Sequence, residues 1–254
     1  MTEKISLLGR KTYKINDNVT INIPTVRLVR GENIKEENEF WNEISLFTVS
    51  PDDMVVELTD FGIDFSTIDE YELFVLLYSL QAEDKKSDSS SDLLFCNFNL
   101  WDLELRHNGE NYEFFDKNGI AVINKSVYLE LSELLSYITG HEKNKRKKFG
   151  TEQAKKRWID KERRKKQIEK DKFNKSKKSD RTSGGVLDGI ILRLVCNANF
   201  PYNFETINDI TLFDLIYSLK QIEKDISVTD LMQSRLVGVD LKQFTDKQKS
   251  RYVL

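Results

Sequence analysis

His107 and His141 are the only histidines in this 254-residue chain, so they are the only side chains whose ordinary ionisation falls near neutral pH. Neither lies near a Ser or Cys nucleophile motif. His107 precedes a turn and His141 follows a helix end, positions that suit a solvated or capping role better than general-base chemistry. Paired carboxylates could hold a metal, but Glu36-Glu37, Asp52-Asp53 and Asp69-Glu70 fall where helices are expected to begin. Negative charge there stabilises the helix dipole, which explains the pairs without a metal. Gly184-Gly185 is the only glycine pair and lacks the following Lys-Ser/Thr of a phosphate loop, so nucleotide hydrolysis has no support. Cys96 and Cys196 belong to no CxxC pair or Cys/His cluster, which argues against structural zinc. Each sits in an apolar run, LLFCNF and LRLVCNANF, and is expected as a small buried thiol in a reducing compartment. The sequence therefore predicts no catalytic, cofactor-binding or metal-binding residue, and a protein that is not an enzyme.

What the sequence carries instead is charge. Glu142 to Arg181 holds 19 of the 39 Lys and Arg but only 7 of the 42 Asp and Glu, a net of +12 inside a chain whose total is −3. A basic connector thus joins acidic bodies. Lysine and arginine tracts neutralise phosphates and release counterions, so contact with nucleic acid through Arg163, Arg164, Lys165 and Lys166 is one reading. The interspersed acids and the near absence of aromatics argue against base stacking, and favour a solvated helical linker or protein-binding arm.

The elements that must carry this charge are legible in the apolar spacing. Lys11 to Gly31 alternates apolar and polar positions around Asn16-Asp17-Asn18, which predicts a β-hairpin with an edge or bulge at Pro24. Phe40, Ile44 and Phe47 then share a helical face in a helix that ends before Pro51, and Ser50-Pro51 reads as the start of another. Thr67 and Glu70 have capping-box spacing ahead of an apolar helix, with Tyr71, Phe74, Val75 and Tyr78 on one stripe and leucines nearly all round. Ala82 to Asp92 is rich in Ser and Asp and reads as a loop. LELRHNG, NYEFFDKNG and IAVI form a β-meander turning at Asn108-Gly109 and Asn118-Gly119. A helix opening at Ser126 and closing at Gly140 follows it. Gln153 to Phe173 is expected as one exposed helix that Trp158 and Ile159 dock locally, and Ser176 to Gly185 as a hinge. Beyond it come three helical runs, the middle one capped by Thr211 and Asp214.

The predicted organisation is an α+β N-terminal domain over 1–141, a long basic helical linker and hinge over 142–185, and a small all-α C-terminal domain over 186–254. A module of roughly 70 residues buries only a modest core, which predicts a partner surface or self-association. The start MTEKISLLGRKTYK lacks the features of a signal peptide, and no apolar run approaches a membrane span of about 20 residues, so a cytoplasmic protein is expected.

LLGRKTYKINDNVTINIPTV, VSPDDMVVELTDFGIDFSTIDEYELF, SVYLELSELLSYITGHEKN, VLDGIILRLVCNANFPYNFETI and DITLFDLIYSLKQIEKDISVTDLMQSRLVGVDLKQF together resemble a family encoded in the tail-morphogenesis region of phages and prophages of Gram-positive bacteria. The resemblance covers nearly the whole chain and rests on apolar pattern and phrase order. It implies the role of a tail assembly chaperone, which binds the tape-measure protein and helps tail-tube subunits polymerise around it in the host cytoplasm. Under that implication Phe74 and Tyr78 in front, and Phe213, Ile216, Tyr217 and Leu231 behind, are the expected partner contacts. In such proteins the long product commonly arises by ribosomal frameshifting, for which Lys147-Lys148-Phe149 marks a candidate slippery run. A structural component of the virion tail or baseplate, and a nucleic-acid-binding accessory protein, are the alternative functions.

Overall fold

Short-range polar contacts set the first turns of the chain. In the computed structural model, which describes residues 7–85, 93–109, 111–141, 143, 146–177, 185–197 and 200–236, the hairpin closes between β1 (Thr12–Lys14) and β2 (Thr20–Asn22). The Asn16 side-chain oxygen accepts from the amides of Asn18 and Val19, each at 2.8 Å, which is the local reason for the expected turn. The extended run stops at Asn22 and does not reach Gly31. Pro24 lacks an amide donor, and Val26 and Val29, three apart, bury one face of a short helix, α1 (Val26–Arg30). On its other side β2 is met by Leu94 to Cys96, with Asn22 N–H to the Leu94 oxygen at 2.8 Å and Cys96 N–H to the Thr20 oxygen at 3.0 Å.

Helix α2 (Ile34–Thr48) starts at Asn33, whose side chain accepts from the amides of Lys35 and Glu36, and buries Phe40, Ile44 and Phe47 as their spacing demands. Ser50 does not open a helix directly. Its amide and hydroxyl both donate to Asp53, closing a turn, and α3 (Val55–Asp60) begins after it. Helix α4 (Glu70–Lys85) likewise starts from a different pair than expected. Asp69 accepts from Glu72 N–H at 2.8 Å and donates its own amide to the Glu72 carboxylate at 2.8 Å, while the Thr67 hydroxyl turns back to the Asp64 carbonyl. The helix also continues through Ala82 to Lys85, into the stretch expected as a loop. The rest of that loop lies outside the described residues.

The meander forms as patterned: β3 (Glu104–Asn108), β4 (Asn111–Phe115) and β5 (Ala121–Ile123) pair antiparallel in that order. Helix α5 (Lys125–Thr139) is capped by Asn124, earlier than Ser126, and ends at Gly140 with φ 70°. A Cβ at Gly140 would stand 2.8 Å from Cγ2 of Ile216, so glycine serves both the left-handed cap and a close approach. Helix α6 (Glu152–Lys177) contains the predicted span and takes in Ser176 and Lys177, the first residues of the stretch expected as a hinge; residues 178–184 lie outside the described residues, and α7 (Val186–Val195) comes next. The last two predicted helical runs are continuous in α8 (Leu212–Leu236), and the chain past 236 lies outside the description. The fold among the described residues is mixed α+β, with eight α-helices and two small antiparallel sheets.

Most buried side chains form one hydrophobic cluster that runs from Leu7 through α2, α4, β4 and α5 to Leu187, Ile191, Leu194, Leu212, Leu215 and Ile216. The boundaries expected at 141 and 185 therefore do not coincide with a break in packing, because α7 and the start of α8 close over the N-terminal elements. Their inward residues are covered within the chain, while Val186, Leu192 and Tyr217 stay exposed. A second cluster, Val55, Leu58, Phe65 and Leu73, lies beneath α3. The nearly all-round apolar surface of α4 serves both, with Phe74 and Tyr78 in the first and Leu73 in the second. The cysteines depart from expectation: both are free and exposed. Leu94 and Phe95 turn inward and leave Cys96 outside, while Cys196 caps the C-terminus of α7 beyond inward-facing Leu194.

Candidate functional site: the seat and outer face of the basic helix

Helix α6 is amphipathic in charge. Residues three or four apart share a face, so Lys155, Trp158, Ile159, Arg163 and Lys166 turn together toward α3. Trp158 lies with its ring centroid 5.3 Å from Phe65 and 5.3 Å from Phe149, and these rings close the second hydrophobic cluster. Lys147 Nζ stands 4.2 Å from the Trp158 ring centre, a cation–π contact. Around the rings the acidic edge of α3 and its following turn meets the helix: Lys155 with Asp64 at 2.6 Å, Arg163 with Asp60, and Lys166 with Glu57. The segment entering α6 is held in the same way, with Lys147 N–H on the Asp52 carboxylate at 2.8 Å and the Arg146 guanidinium on the carbonyls of Phe65 and Ile68. Lys155 and Ser66, both donating to Asp64, lower its pKa to about 2.

The opposite face carries Arg157, Lys161 and Arg164 at i, i+4 and i+7, with Lys156 and Lys165 on its flanks, whereas Lys170, one turn beyond Lys166, continues the inward side past the seat; all six are exposed. Among the described residues Lys156, Arg157, Lys161, Arg164 and Lys170 make no ion pair, and Lys165 reaches Glu162 only at 3.9 Å. The four consecutive cations singled out in the sequence therefore divide. Arg163 and Lys166 turn inward and are paired, whereas Arg164 and Lys165 face solvent, because successive helical residues are about 100° apart.

The expected partner contacts also divide. Phe74 and Tyr78 are core residues at 0% and 3% exposure, so they offer no surface to a partner. The Tyr78 hydroxyl donates to the Leu103 carbonyl at 2.7 Å, its ring stacks on Trp101, and burial pushes its pKa up to about 12. Phe213 and Ile216 are buried where α8 crosses α5. Tyr217 is exposed and stacks on Phe213, whose other neighbour is exposed Tyr137 at 5.2 Å between centroids. The side chain of Leu231 lies outside the described residues. Sequence reasoning missed Tyr137 and the acidic seat Glu57, Asp60 and Asp64. The signal for the seat was present, since acids accumulate from Asp52 to Asp64 and the basic segment needs a counterpart.

His107 packs edge-on against Tyr112 in the β3–β4 hairpin, and His141 is exposed just past α5. Among the described residues no three His, Cys, Asp or Glu side chains stand where they could hold a metal ion, and no helix is long and apolar enough to cross a membrane. Comparison with protein-family models, with curated proteins and with solved structures gives no match.

Proposed function

We propose that the protein acts by binding other proteins, as a non-enzymatic phage tail assembly chaperone that holds the tape-measure protein in the host cytoplasm while tail-tube subunits assemble around it. The observation that carries this reading is the aromatic shelf at the α5–α8 crossing, where Tyr137 and Tyr217 stand exposed on either side of buried Phe213. Rigid aromatic side chains held from below give large contact area at low entropic cost, and an amphipathic helix can lay its apolar face across them. An elongated helical tape-measure protein exposes such faces until tube subunits cover them. The resemblance in phrase order along the chain points the same way.

The test is co-expression with the neighbouring tape-measure and tube proteins, followed by pull-down. Tyr137→Ala combined with Tyr217→Ala is expected to reduce retention of the tape-measure protein at least about tenfold. Tyr112→Ala, which removes an exposed tyrosine from the β3–β4 hairpin, is expected to leave retention unchanged. Equal retention by the double variant removes the shelf from the reading. Recovery of the chain in purified particles replaces the chaperone with a structural component of the virion.

A further inference from the structure

We infer that the outward face of α6 binds the phosphate backbone of double-stranded nucleic acid without regard to sequence. This inference is independent of the protein-binding reading, since it rests on a different surface. Arg157, Lys161 and Arg164 on this face, with Lys156 on its flank, have no acidic partner among the described residues, while Lys155, Arg163 and Lys166 of the other face are paired with Asp64, Asp60 and Glu57. The seat on α3 thus sorts the charges of a uniformly basic sequence and leaves one side with unneutralised positive charge. From Arg157 to Arg164 the helix rises about 10 Å, a length over which a B-form duplex presents roughly half a dozen phosphates.

The alternative polyanion, an acidic protein segment, fits this face less well. Protein interfaces need an apolar centre, whereas nucleic-acid interfaces are polar and strongly positive. Ile168 is the only large apolar side chain that α6 exposes among its described side chains, because Trp158 and Ile159 are turned into the seat. A single strand would ask for aromatic platforms, and this face has none, so the duplex backbone is the form of nucleic acid it suits. Asp160, beside Arg157 and Arg164, and Asp171, which accepts from Gln167 at 3.0 Å, interrupt the positive field and limit the contact to a few phosphates. The other cations of the segment, between Lys143 and Lys148 and between Lys172 and Arg181, add to its net positive charge.

The full chain titrated into a fluorescein-labelled 20-base-pair DNA duplex of arbitrary sequence, read by anisotropy, tests this. Three phosphate contacts predict a salt slope near −2.7, hence about 40-fold weaker binding at 200 mM than at 50 mM salt. Combining Arg157→Glu, Lys161→Glu and Arg164→Glu is expected to abolish binding, and the milder Arg157→Gln, Lys161→Gln, Arg164→Gln set to weaken it at least tenfold with the circular dichroism unchanged. Reversing three cations elsewhere, Lys11, Lys35 and Lys117, leaves it intact. No binding at 50 mM salt overturns the inference, as does equal affinity in the glutamine set. Competition by poly-glutamate equal to that by duplex at matched charge assigns the face to an acidic protein instead.

Discussion

Two segments of the second half of the chain are fastened to the first half, and they are fastened by different physics. The α7–α8 segment is attached by apolar burial and backbone pairing. Leu187, Leu194, Ile207, Leu212 and Leu215 are fully buried, and Val26 N–H and Leu212 N–H bond across to Ile210 and Pro24 carbonyls at 2.9 and 2.8 Å. Its entry is pinned by Glu37, a buried carboxylate on α2 that accepts from Leu187 N–H at 2.9 Å and so caps α7 from a distant helix. Among the described side chains the α6 segment has only Phe149, Trp158 and Ile159 as apolar anchors, ringed by ion pairs whose carboxylates are 42–58% exposed. Exposed pairs are worth about 0–1 kcal/mol each and weaken with salt. One segment is therefore part of the core, and the other is a helix laid on a charged seat.

The sharpest way to break this contrast is Leu215→Ala. Removing a fully buried leucine costs about 2–5 kcal/mol, and because the cluster is shared, denaturant unfolding monitored over the whole chain is expected to shift as one transition. A separate early transition confined to α7–α8 would show that the two halves of the core are not cooperative. Trp158→Ala is expected to act locally. Hydrogen exchange across residues 152–171 should accelerate while the global midpoint moves by less than about 1 kcal/mol. A global loss as large as that of Leu215→Ala would place α6 on the same footing as α7 and α8.

The smallest effect is one of acidity. Asp64 is ionised at lower pH in the folded protein than in the unfolded chain, so its contribution is complete above its ordinary value of 3.8 and is lost as pH falls toward about 2. Trp158, followed by fluorescence between pH 5 and 2 at low ionic strength, is expected to report partial release of α6 over that window. Asp64→Asn, which cannot titrate, should flatten the step. An unchanged profile in that variant removes the Lys155–Asp64 pair from the attachment.

Local chemistry was the legible part of this molecule. Asn16, Thr211 and Gly140 occupy the turn and caps that their types require, and the faces Phe40–Ile44–Phe47 and Tyr128–Leu131–Leu135–Ile138 are buried as spaced. Where two local signals competed, the sequence could not decide. Asp69 with Glu72 replaces Thr67 with Glu70 as the capping pair, two residues on with equally good spacing, and Val26 to Arg30 satisfies both alternation and a three-residue period. Burial of the expected contacts was illegible for a different reason. A stripe such as Phe213 and Ile216 looks the same whether a partner or the chain's own α5 covers it, and only the long-range approach at Gly140 selects between these. The division of Arg163 to Lys166 into cations held by the seat and cations facing solvent likewise depends on where α3 lies.

The position of α4 has a mechanical consequence. With Phe74 and Tyr78 locked in one cluster and Leu73 in the other, this helix cannot roll to relax either side without opening the opposite one. The floor on which α6 rests is thus joined to the centre of the molecule through α4, so a change that opens the second cluster is felt in the first.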